Sequence, residues 1–182
     1  METKQIQKID INTNGFPEPM LKLVSDLLEA KNFRHRISDW NKLVSMGKEI
    51  LPYAHRLIKS ENNAIRKEAT KLIELIADKQ SIPKLIALLD DEESDIRWIA
   101  AEGLINIGRE CIVPLLKALV KCENSYFTYL GAHHVFNKLF TAKEKMNLQP
   151  LLHSLNNSTE INAIVNIEAS KALKIIISEQ HN

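Results

Sequence analysis

Apolar positions in this chain recur at spacings of three, four and seven residues, the period of amphipathic helices rather than of strands. The pattern first shows in residues 17–31, where Met20, Leu21, Val24, Leu27 and Leu28 follow two prolines that flank Glu18. Downstream it becomes a repeat. IRWIAAEGLINIGRECIVPLLKALV, Ile96 to Val120, superposes on IRKEATKLIELIADKQSIPKLIALLD, Ile65 to Asp90, at a shift of 31 residues. Each copy predicts a pair of short helices. Pro52, Pro83, Pro114 and Pro150 open the second helix of successive pairs, in the first turn, where no amide donor is required.

The first helices share a register. Arg66, Arg97, Thr128 and Asn166 hold one position. Three and four residues later come Ala69 and Thr70, Ala100 and Ala101, Gly131 and Ala132, and Ala169 and Ser170; seven later come Ile73, Leu104, Val135 and Leu173. These offsets lie on one helical face, and small side chains there let a neighbouring helix approach closely. The second helices answer with Leu85, Leu116 and Leu152, and with Leu57, Leu88, Leu119 and Leu155. A hairpin of this size is not stable alone, so the copies must stack into a continuous core. The expected organisation is an arm over 1–15, disordered or loosely packed, and a single repeat domain over 16–182. That domain holds a capping helix at 17–31, repeats at about 33–59, 62–90, 94–121 and 124–157, and a closing helix at 159–178. The total is about ten helices. Asp39 and Trp40 occupy the small positions of the first, irregular copy. Five extra residues precede Pro150, to be absorbed by a longer first helix or a wider turn. The closing helix is a first helix without its partner.

Composition narrows the class. With 45% hydrophobic and 26% charged residues, the chain is globular rather than disordered. A formal net charge of +1 supplies no field that would draw it to nucleic acid or an anionic membrane. No window approaches the roughly 18 apolar residues of a membrane span, and the N-terminus is not of signal-peptide type. Cys111 and Cys122, on one predicted helix, stand about 16 Å apart, beyond disulfide reach. Reduced thiols and the missing leader together predict a cytoplasmic protein.

The segments AIRKEATKLIELIA with SIPKLIALLDD, and DIRWIAAEGLINIG with CIVPLLKALV, resemble HEAT repeats, specifically the compact HEAT-like class called phycobilisome-lyase-type. The resemblance spans Arg36 to Ile177, and the period of 31 is shorter than that of long HEAT and armadillo units. GAHHVF (Gly131 to Phe136) also resembles a variant repeat of bacterial proteins of this type. The resemblance implies an all-α fold, a right-handed α-α superhelix or HEAT-like solenoid, with first helices on its convex side and second helices lining its concave side. It implies no single activity: members are mainly interaction scaffolds, a few are bilin lyases, and relatives of the fold excise alkylated DNA bases.

Candidate chemistry is sparse. In the family, arginines at the place of Arg66 and Arg97 bond the neighbouring turns. His133 and His134 are adjacent on a helix, point about 100° apart and cannot chelate one ion together. Trp98, Tyr129, Ile105 and Phe136 lie on a shared flank, where packing between repeats is expected, with an exposed contact patch as the alternative. The run Asp90 to Asp95 favours a helix N-terminus. On the concave side, His55, Arg56, Lys59, Lys117, Lys121 and His153 point away from the leucine stripe and form a moderately basic ridge suited to an acidic peptide or helix. No catalytic Ser or Cys motif, paired carboxylates or phosphate loop is present, and no cofactor or metal is expected. The sequence predicts a non-catalytic protein- or peptide-binding scaffold. The alternatives on the same fold are a nucleic-acid-binding or base-repair protein, disfavoured by charge, and a bilin-lyase-type protein, which rests on fold alone.

Overall fold

The computed structural model describes residues 12–28, 40–121, 125–157 and 162–179. Residues 1–11 of the arm, Asp39 and Cys122 lie outside them. The described residues are helical with no strand. The complete α-helices are α1 (Glu18–Leu28), α2 (Leu51–Leu57), α3 (Asn63–Ile76), α4 (Ile82–Leu88), α5 (Ser94–Ile107), α6 (Ile112–Val120), α7 (Tyr126–Leu139), α8 (Ala142–Asn147), α9 (Gln149–Asn156) and α10 (Asn162–Glu179). Residues 40–45 are also helical. This is the all-α class that the periodicity predicts. The chain divides into two compact units, Met1–Asp78 and Lys79–Asn182.

In the first unit, α1 and α2 pack on α3, burying Met20, Leu23, Val24, Leu57, Ile65, Ala69 and Ile73. A 3-10 turn, Gly47–Ile50, leads into α2, and Pro52 stands in the first turn of that helix, where its missing amide is not needed. The Asn62 side chain caps α3 by accepting from the amides of Ala64 and Ile65 at 3.0 and 3.3 Å. Buried Asp78 closes the unit through an ion pair of 2.6 Å with the exposed Lys48 ammonium.

In the second unit, α4 packs on α5, α5 on α7 and α7 on α9. Small residues lie on the buried faces of both α5 and α7, with Ala100, Ala101, Gly103 and Ala132 all buried. Gly131 of α7 faces the end of α4. A Cβ there would stand 2.8 Å from a methyl of buried Leu89, inside normal contact distance.

The helix caps correct one part of the register. The N-caps Asn62 and Glu93 keep the period of 31 residues, but Ser125, which caps α7, comes one residue later. The extra residue lies in the connection before α7. Burial follows it: Ile96, Ala100, Gly103 and Leu104 of α5 correspond to Thr128, Ala132, Val135 and Phe136 of α7. Tyr129, not Thr128, therefore stands at the arginine position, and His133 stands at a small position.

Two further expectations change. One of the five extra residues precedes α7, and the other four form neither a longer helix nor a plain turn. They make the separate helix α8, begun by a capping box in which Thr141 and Glu144 each bond the other's backbone amide. The closing helix α10 does not extend the row of first helices. It lies along α6, a second helix, and also packs on α9. Its buried face is Val165, Ala169, Ala172 and Ile176, while Leu173 is only half-buried. In α9, Leu151 and Leu155 are buried and Leu152 is partly exposed. Cys111 lies in the 3-10 turn before α6 and not within that helix. Its burial pushes the thiol up to about 12, so it stays protonated and unreactive.

Arg109 fastens α8 to the rest of the second unit. Its guanidinium donates to the Leu139 carbonyl at 2.9 Å and to both Glu144 oxygens at 3.0 and 2.5 Å. That pairing, with the Thr141 amide and hydroxyl, holds the Glu144 carboxyl down from 4.5 to about 2. A carboxylate depressed in the folded state contributes stability above its ordinary range, and the contribution is lost as pH falls through the folded value. Between about pH 4.5 and 2 the second unit should lose on the order of 1–2 kcal/mol through Glu144, discounted because Arg109 is half exposed. Glu144→Gln should lower stability at pH 7 by a similar amount and flatten that acid limb. A urea-midpoint series against pH checks this, and an unchanged acid limb would contradict it.

First helices α3 and α5 end at equivalent places in different ways. Ala77 is held at φ 50°, ψ 42°, a left-handed conformation that costs an L-residue energy, whereas Gly108 sits at φ 87°, ψ −153°, which only glycine adopts readily. Ala77→Gly should therefore stabilise by about 0.5–1 kcal/mol, and Gly108→Ala should destabilise by about 1–3 kcal/mol. Urea midpoints of the two variants should move in opposite directions.

Candidate functional site

The six residues of the expected basic ridge fall in both units. In the first, His55 and Arg56 are half-buried on α2 and Lys59 is exposed just beyond it. Arg56 is engaged by its own chain. Its guanidinium lies 4.5 Å over the Phe16 ring and donates to the carbonyls of Asn14 and Asn12. Phe16 in turn stands edge-on to Tyr53 at 5.3 Å. Residues 12–16 are thus docked on α2, and Arg56 holds them there.

In the second unit Lys117 and Lys121 are exposed, four residues apart, on α6 and at its C-cap. Spacing of four places them on one side of that helix. His153 is exposed on α9. α10 packs on both the helix that carries the lysine pair and the helix that carries His153. The two lysines form a local pair, and His153 belongs to a neighbouring element.

The arginines act on backbone. Arg66 donates from Nη1 to the carbonyls of Ser60 and Glu61 at 2.8 and 3.0 Å. Arg97 does the same to Asp91 and Glu92 at 2.7 and 2.9 Å. Each guanidinium satisfies the carbonyls of the turn that enters its own helix. The acidic turn is ordered as well: the Asp91 carboxylate accepts from the Glu93 amide at 3.0 Å.

An exposed aromatic surface on α5 and α7 matches the alternative reading for Trp98 alone, and sequence reasoning missed Tyr126, Phe127 and Leu130 beside it. Trp98 was expected in the packing between repeats but is 58% exposed; Tyr126, Phe127 and Leu130 are 46%, 43% and 36% exposed. The corrected register accounts for it, because Trp98 and Leu130 are equivalent and face outward together. Tyr129 and Phe136, by contrast, are buried as expected. The exposed rings are braced from beneath. The Arg97 guanidinium lies 3.8 Å over Phe127. The His134 ring lies 4.7 Å from that of Trp98, tilted by 37°, and pairs with Glu102 of α5 at 2.7 Å. The N-cap Ser125 would have given the register from sequence and so placed Leu130 beside Trp98.

His133 turns to Asn137, one helical turn on, at 3.0 Å. Burial, with His134 beside it, holds its imidazole below the ordinary range. The two histidines therefore serve different neighbours, as their angular separation requires. Among the described residues no group of His, Cys, Asp and Glu is placed to hold a metal ion. No helix among them is long and apolar enough to cross a membrane.

No curated protein matches the chain. Residues 50–130, from the approach to α2 into α7, match a family model described as HEAT repeats. Stacked small faces, proline-opened second helices and arginine-braced turns are the physical content of that match, which covers 81 of the 182 residues and shows the chain to be similar to HEAT repeats over this span.

Proposed function

We propose that this chain is a non-catalytic scaffold that binds a protein or peptide, with the second-helix face of its repeats as one contact surface. HEAT repeats generally serve protein interaction, and stacked helices suit that work because they present rows of side chains on a core that barely deforms. The observation that carries the surface is the pair Lys117 and Lys121, both exposed and on one side of α6. A cationic pair on a rigid helix suits an acidic segment of a partner, and His153 on α9 extends the contact across α10. In the first unit Lys59 is the exposed cation beyond α2. Arg56 is left out of the surface, since it is committed to Asn12, Asn14 and Phe16.

The near-neutral chain, with 24 basic and 23 acidic residues, disfavours the nucleic-acid alternative, because phosphate binding draws on many cations at once.

The experiment uses a fluorescent amphipathic peptide of leucine and glutamate as the acidic probe. Lys117→Glu combined with Lys121→Glu should weaken its binding at least tenfold and leave the melting temperature within about 2 °C, since both residues are solvent-facing. Unchanged binding would remove this face from consideration. Micromolar binding of duplex DNA that falls steeply with salt would overturn the scaffold reading itself.

A further inference from the structure

The aromatic surface on α5 and α7 has a character opposite to that of the lysine pair. Four large apolar side chains on adjacent packed helices stand in water, and two of them rest on supports that are themselves fixed. Arg97 cannot swing away from beneath Phe127, because the carbonyls of Asp91 and Glu92 hold its guanidinium. His134 is held under Trp98 by Glu102. An exposed ring already locked in place gives up little freedom when a partner covers it, which is how buried aromatic anchors come to dominate interfaces.

The edge of this surface is acidic. Arg97 ties Phe127 directly to the turn Asp90–Asp95, whose residues are all acidic except Ser94. Asp95 and Glu102 lie three residues before and four after Trp98, on its side of α5. Arg97, the cation at its centre, is spent beneath Phe127 and on backbone carbonyls. A second copy of the same surface would bring acid against acid, so an isologous pairing is opposed. Phosphate would be repelled.

We propose that Trp98, Phe127 and Leu130 form a docking surface for a basic segment of a partner protein. The segment inserts an apolar side chain against the braced rings and lays Lys or Arg side chains on the Asp90–Asp95 turn. This surface lies on the first helices and is independent of Lys117 and Lys121 on α6. The chain would then present opposite charge on its two helix rows, fitting it to hold two partners of different kinds.

The chain has two tryptophans, Trp40 and Trp98, so Trp40→Phe leaves Trp98 as the sole reporter on the surface itself. Titration of that full-length variant with an amphipathic peptide of leucine and lysine should shift the emission to the blue, whereas the leucine–glutamate peptide should not. Glu92→Lys with Asp95→Lys, and separately Phe127→Ala, should each weaken lysine-peptide binding at least tenfold with the circular dichroism spectrum unchanged. Lys117→Glu with Lys121→Glu should leave it unaltered, which separates this surface from the one proposed above. Equal response to both peptides, no response to either, or an emission that moves with protein concentration alone, the sign of a second copy, would each overturn the proposal.

Discussion

Everything in the second unit depends on how closely α5 and α7 approach. Their buried faces carry Ala100, Ala101 and Gly103 on α5 and Ala132 on α7, side chains too small to hold helices apart. Close approach brings backbone against backbone and leaves little void, and dense packing of this kind, summed over many weak contacts, is what stabilises a stack of short helices. The same approach sets equivalent positions side by side, so that Glu102 of α5 meets His134 of α7 at 2.7 Å. The aromatic surface follows from it, because two helices this close present their outward residues as one patch rather than two.

Repetition of one hairpin does not make the repeats identical. Arg66 and Arg97 brace the entering turns of α3 and α5 with the same pair of bonds, but α7 carries Tyr129 at that place and starts from a Ser125 cap instead. The connection after α7 is occupied by α8, which Arg109 and Glu144 tie back. Beyond α9 the pattern changes again. The face of α10 is narrower than that of α3 or α5, fits α6, and ends the first-helix row at α7. Terminal elements of a stack commonly depart from the consensus, since they have a neighbour on one side only.

Much of this was legible in the sequence because its causes are local. Proline in a first turn, small residues at offsets three and four, and leucine on the second helix are each required within one hairpin, so they recur and can be counted. The one-residue shift before α7 escaped because the small and apolar positions tolerate it: Ala132 is small in either frame, and Val135 and Phe136 are both apolar. The α8 helix was partly readable, since Thr141 and Glu144 carry a capping-box spacing. The seat of α10 on α6 was not readable, because amphipathic spacing says which face is buried and nothing of what buries it. Trp98 shows the same limit from the other direction. Its helical offset was known, but its exposure depends on the rotation of a different helix.

The most direct test of the account is to enlarge the small face and measure the consequence. Ala100→Leu places a branched side chain on the buried small face of α5, and overpacking of a buried contact costs about 1–3 kcal/mol or more. The account predicts a loss of at least that size in the urea midpoint, together with faster amide exchange through both α5 and α7. A variant as stable as the parent, with exchange unchanged in α7, would show that the helices do not meet through these residues, and the account would fail with it.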